Sequence, residues 1–194
     1  MAITSSRPTI ALVKTRWRKP GERTLAERAG VIGANVWKIA LAIYKHLEKE
    51  GFRFVSDRMV TDLLAELIAF LVQFVDRTVY GRLSDPDRAT LVTEVARHLA
   101  ATMENNQLDL LGPGAYRKRF IDLVNARLSE YAGFDYSAGE PGAPCVLYFA
   151  TRVADVMAAG DNKWVLEQMI DIETPEMVRV ARKLVDQTVD AAPR

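Results

Sequence analysis

The sequence predicts an all-α fold: a single-domain helical bundle of about seven helices over residues 24–194, behind a basic, partly extended N-terminal arm at 1–23. Three observations predict it. Apolar residues recur at helical spacing through most of the chain, and glycines follow those stretches where a helix end wants φ > 0. No alternating run of apolar and polar residues reaches ordinary strand length. With 194 residues, 49% of them hydrophobic and 26% charged, the chain has an ordinary globular balance. A chain of this length can bury about 70% of its unfolded surface without disulfides or metals.

Taken in order, Val36, Ile39, Ala40, Ile43 and Leu47 line one face over 34–50, with Lys38, Lys45 and Lys49 opposite. Segment 57–80 is apolar nearly all round, which marks the central helix of a bundle. Segments 86–106, 115–132 and 144–159 follow, then a short helix from 162 and a last one over 175–189. Gly51, Gly81, Gly112, Gly133 and Gly160 mark the ends. Ser56 and Asp161 read as N-caps, and Asp85-Pro86 and Thr174-Pro175 as caps followed by proline in the first turn. Residues 10–13 and 52–55 are the two candidates for short extended pieces. Leu63, Leu67, Leu71, Val75, Val95, Leu99, Val124 and Leu128 are expected to share one core.

Cys145 is the single cysteine, so no intrachain disulfide forms; with no secretory apolar region and no Asn-x-Ser/Thr acceptor, a cytoplasmic, reducing location is expected. The longest apolar stretch, 63–75, falls short of the about 20 residues a membrane helix needs, so no membrane is expected. Net charge is +1, unevenly spread: residues 1–30 carry +5 and the remainder −4. Arg16, Arg18, Lys19 and Arg23 are therefore candidate contacts to an anion or to nucleic acid.

Residues 24–41 carry the most specific local pattern. Ala26 is small where two helices would cross, Gly30 sits at a left-handed turn position, and Leu25, Ala29, Val31, Val36 and Ile39 occupy buried positions. The segment resembles the helix-turn-helix of bacterial repressors. That resemblance implies a DNA-binding transcriptional regulator, with the arm touching phosphates. On the same residues, the outward positions of the second helix hold Ile32, Trp37 and Leu41, side chains suited to protein contact rather than to base edges.

Other constellations point to structure. Glu94 with His98, and His46 with Glu50, stand at i and i+4 on polar or boundary faces, whereas dimetal bundles use Glu-x-x-His; no metal and no cofactor are expected. Cys145 has no basic neighbour in sequence and reads as a buried small hydrophobe. Gly112-Pro113-Gly114 before Arg117, Lys118 and Arg119 reads as a turn and a solvated basic first turn. Tyr131, Phe134, Tyr136 and Trp164 cluster around the 133–144 loop, as pocket lining or as a plug into the core. Asp62, Glu66, Gln73, Asp76, Arg77 and Tyr80 run down one line of the central helix as a polar seam, for which Arg117, Arg119 and Lys163 are candidate partners and along which a pocket would open.

The expectation is a non-catalytic cytoplasmic protein acting through protein–protein contact or homo-oligomerisation, its partner itself or another protein, with Ile32, Trp37 and Leu41 as the contact surface. The alternatives are the DNA-binding regulator and, third, an enzyme with an unrecognised site.

Overall fold

The computed structural model describes residues 24–137 and 139–190, and helix accounts for about 81% of these. Six helices have fifteen residues or more: α1 (Leu25–Lys49), α2 (Asp57–Val79), α3 (Asp85–Leu111), α4 (Tyr116–Tyr131), α5 (Ala143–Met157) and, numbered after a four-residue helix α6 (Val165–Gln168), α7 (Thr174–Val189). A two-stranded antiparallel ribbon, β1 (Tyr136–Ser137) with β2 (Glu140–Pro141), closes the loop before α5. The basic arm, with Arg16, Arg18, Lys19 and Arg23, lies outside the described residues, as does the extended piece at 10–13.

Helix starts follow local chemistry. Thr24 and Glu27 form a capping box: Thr24 Oγ1 accepts from the Glu27 N–H at 3.2 Å, and Glu27 Oε2 accepts from the Thr24 N–H at 2.9 Å. Ser56 caps α2 as expected. Ser84, one residue earlier than the expected Asp85, caps α3.

α2 is the central element, touching α1, α3, α4, α5 and α7. All but one of the expected core residues are buried; Leu128 is partly buried and packed on them. Phe70 and Phe149 stack at 4.2 Å where α2 meets α5, and Tyr131 meets Phe70 edge-on. No helix among the described residues is long and apolar enough to cross a membrane.

Four expectations are corrected. First, α1 runs unbroken from Leu25 to Lys49, so the turn of a helix-turn-helix does not exist at Gly30. Small residues at Ala26 and Gly30 fit one continuous helix as well as two crossing ones. The glycine with a packing reason is Gly33, where a Cβ would lie 2.8 Å from the His98 ring on α3.

Second, Ile32 is fully buried, because in an unbroken helix it falls on the same stripe as Val36, Ile39 and Ile43. It is not available as a contact residue. Trp37 and Leu41 share the neighbouring flank and are partly buried against the core.

Third, the two C-terminal helices run together. α6 passes through a π turn (Met169–Glu173) directly into α7, and Thr174 is helical rather than a cap. Pro175 offers no N–H and its ring crowds the carbonyl four residues back, and the wider π turn takes up both misfits.

Fourth, Asp161 ends a 3₁₀ turn (Ala158–Gly160) in the left-handed conformation, φ 53°, instead of starting a helix. Gly160 serves close approach: a Cβ there would clash with the Arg53 carbonyl oxygen. Asn162 bonds both backbone groups of Arg53, accepting from its N–H at 2.8 Å and donating to its carbonyl at 3.0 Å. That side chain occupies the ladder positions of segment 52–55, which is no strand.

Candidate anion-binding groove

The last turn of α2, the loop after α4 and the middle of α7 enclose a groove of about 600 Å³ lined by Arg77, Arg82 and Arg182 together with Tyr80, Phe134, Tyr136 and Asp135. Three guanidinium groups reach one groove, Arg77 from α2, Arg82 from the turn after it and Arg182 from α7. What each of them is bonded to decides what the groove can hold.

Arg82 is fully engaged: its Nη1 and Nη2 donate to Asp186 at 2.8 Å and Asp190 at 2.6 Å, and these two carboxylates raise its affinity for its proton against the opposing effect of burial. Arg182 donates from Nη2 to the Gly139 carbonyl at 2.6 Å and lies 2.8 Å from Glu140 Oε1, tying the ribbon to α7. Its guanidinium also sits 5.5 Å over the Phe74 ring.

Arg77 is different. It donates from Nη2 to the Ala132 carbonyl at 3.1 Å and lies 5.3 Å over the Tyr136 ring. Its neighbour Asp76 is taken by Arg88 at 3.3 Å. Among the described residues, no carboxylate stands within ion-pairing distance of Arg77, and its buried Nε has no hydrogen-bond partner. Arg182 Nε is likewise buried without one. A half-buried guanidinium lacking a counter-ion is costly, and it is the natural receptor for a planar oxyanion.

Tyr136 Oη lies 3.8 Å from Cys145 Sγ. Burial raises both groups above their ordinary values, with the Arg77 charge opposing, so both stay neutral. Cys145 is buried, as its sequence surroundings suggested.

The chain matches no protein-family model, no curated protein and no solved structure.

Of the aromatic candidates, Phe134 and Tyr136 line the groove, while Tyr131 is fully buried in the core beside Phe70. Trp164 stands apart at the start of α6, 72% exposed. Arg82 and Arg182 were missed, since nothing in their local spacing distinguishes them from solvated helix arginines. Arg77 carried a signal as the one basic residue of the polar seam, and the seam does open into a pocket.

The remaining sequence candidates lie outside the groove; Arg119 reaches Asp62 of the polar seam, as expected, and the others are engaged elsewhere. Arg117 pairs with Glu104 at 3.5 Å, Lys118 with Asp122 at 2.6 Å and Arg119 with Asp62 at 3.7 Å. Glu94 pairs with Arg97 rather than His98. His46, expected at a boundary face, is 5% exposed, with Nδ1 2.6 Å from Glu173 Oε1 on the π turn and Nε2 3.4 Å from Glu50. Among the described residues no three His, Cys, Asp or Glu side chains gather as metal ligands.

Proposed function

We propose that this chain is a non-catalytic helical protein that works by contact with a partner protein, and that the contact is made at the arginine groove through a carboxylate of that partner. One observation carries the reading: the Arg77 guanidinium is anchored to the Ala132 carbonyl, stacked on Tyr136 and left without a carboxylate among the described residues. A hydrogen bond to a charged group contributes about 1.5–3 kcal/mol, and a carboxylate here would meet a receptor already fixed in place. Tyr80, 65% exposed beside the groove, and Phe134 supply aromatic area for the neighbouring apolar side chain, the kind of anchor on which contact surfaces depend. The Trp37–Leu41 flank is the weaker contact candidate, because both side chains already pack on the core and Ile32 is fully buried.

Fluorescence anisotropy with a labelled peptide of alternating glutamate and phenylalanine tests this. Saturable binding should weaken at least tenfold in Arg77→Met and stay unchanged in Trp37→Ala, with circular dichroism confirming both folds. Equal binding by Arg77→Met, or loss of binding in Trp37→Ala alone, would move the contact away from the groove.

A further inference from the structure

A second cavity, of about 360 Å³, opens between α2, α3, α4 and α5 on the side of the bundle facing α4. Ala65, Phe120, Leu123 and Val156 give it apolar walls. Its charged members are already matched. Both oxygens of Glu66 accept from Arg127, at 2.7 and 2.8 Å, and Asp62 faces Arg58 at 3.1 Å and Arg119 at 3.7 Å. Gln107, on α3, is not matched: it is 6% exposed, its Oε1 is buried without a hydrogen-bond partner, and among the described residues its side-chain amide makes no hydrogen bond. A carbonyl oxygen withdrawn from water without a partner destabilises the fold by an amount comparable to a lost hydrogen bond. A ligand in the cavity that donates to this oxygen would offset that cost.

We infer that this cavity binds a small neutral molecule carrying a carboxamide or lactam group on a compact apolar body. The head group follows from the residue. A glutamine amide offers one acceptor and two donors, and turning about its last side-chain bond presents either edge. A carboxamide answers both at once, accepting from Nε2 and donating to Oε1. A carboxylate could not donate to Oε1, and Arg119 in the lining is already turned to Asp62. An ammonium would give up its hydration for carboxylates that already have arginine partners. The size follows from the volume: at about 30 Å³ for each water-sized unit, the cavity takes on the order of a dozen non-hydrogen atoms. That is a small ligand at the lower end of the usual pocket range of roughly 300–1,000 Å³.

The full chain is titrated with four probes of one shape, hydrocinnamamide, hydrocinnamate, phenylpropylamine and butylbenzene, followed by two-dimensional proton–nitrogen NMR. Hydrocinnamamide should shift the Gln107 side-chain pair and the Ala65 and Leu123 backbone signals saturably, and bind at least tenfold more tightly than the other three. In Gln107→Leu the order should reverse, butylbenzene gaining and hydrocinnamamide losing at least tenfold. Val156→Phe, which fills the cavity and leaves the amide untouched, should abolish binding and keeps the inference testable if the leucine variant does not fold. Four equal affinities, tightest binding by the amine or the acid, undiminished binding in either variant, or no saturable shift at Gln107 would overturn it.

Discussion

Arg127→Met should be among the most damaging single substitutions in this protein. Glu66 lies on the central helix with its side chain 5% exposed, and Arg127 reaches it from α4 with its own side chain 14% exposed. Two parallel bonds, Nε to Oε2 at 2.8 Å and Nη2 to Oε1 at 2.7 Å, make the pair bidentate. The third arm of the guanidinium goes to Glu130 at 2.8 Å, and Tyr148 Oη donates to the same Glu130 oxygen at 2.6 Å. The bonds to Glu66 foremost, outweighing burial, hold the Arg127 charge in place. Removing the arginine strands a carboxylate inside the bundle, which costs about 3–5 kcal/mol. Against a total stability of about 5–15 kcal/mol, that lowers Tm by roughly 10 °C in a chain of this size. Glu66→Met is milder, about 1–3 kcal/mol, because Arg127 keeps Glu130 and an edge in water. The double variant should return to within about 2 kcal/mol of the parent, since well-packed apolar groups often replace a buried pair without loss. Urea unfolding followed by circular dichroism for all four proteins gives the coupling energy directly. A double variant whose loss equals the sum of the two single losses would show that the pair is not coupled, and the reasoning would fail.

Three further outcomes follow from burial. Leu67→Ala, at a fully buried position on α2, should destabilise the protein by about 2–5 kcal/mol in the same assay. Cys145 should react with a thiol reagent at a rate set by unfolding, because burial raises its pKa and Tyr136 covers it; rapid labelling of the native protein would contradict this. Burial is also the largest influence on Glu173 and raises its pKa above the ordinary 4.5, against bonds from Gln168 and His46. The folded state then holds that proton more tightly than the unfolded one. The stabilisation is complete below pH 4.5 and is lost as pH rises through the raised value. Urea midpoints measured upward from that pH should fall less steeply in Glu173→Gln than in the parent.

The helices were legible because periodicity is local. Val36, Ile39, Ile43 and Leu47 announce their shared face within twelve residues, and all four are fully buried. The same stripe also explains the false helix-turn-helix: the spacing that places apolar residues inside two crossing helices places them inside one long helix too. Gly30 offered a turn, but the closing contact that requires a glycine is at Gly33, against His98 from another helix, and no local pattern records it. The C-terminal break misled in the opposite sense. Thr174-Pro175 has the chemistry of a helix start, and whether a proline begins a helix or is absorbed by a π turn depends on what packs around it. Glu66 and Arg127, 61 positions apart, meet through tertiary structure alone.

The polar seam of α2 joins these observations. Asp62 and Glu66 border the amide cavity, Arg77 and Tyr80 border the arginine groove, and Gln73, 4% exposed, lies between them on the same helix. A central helix with apolar neighbours on five sides gains most from being apolar throughout, so each polar residue on it opposes packing. Some of that opposition is answered by long-range partners: Arg127 for Glu66, Arg119 for Asp62, Arg88 for Asp76. What these partners leave over is Arg77, without a carboxylate among the described residues, and across the amide cavity Gln107, without a hydrogen bond. Both groups sit in cavities that border α2. One is a cation and the other a neutral amide, so the two sites should take different ligands, and substituting either group should leave the other site's binding intact.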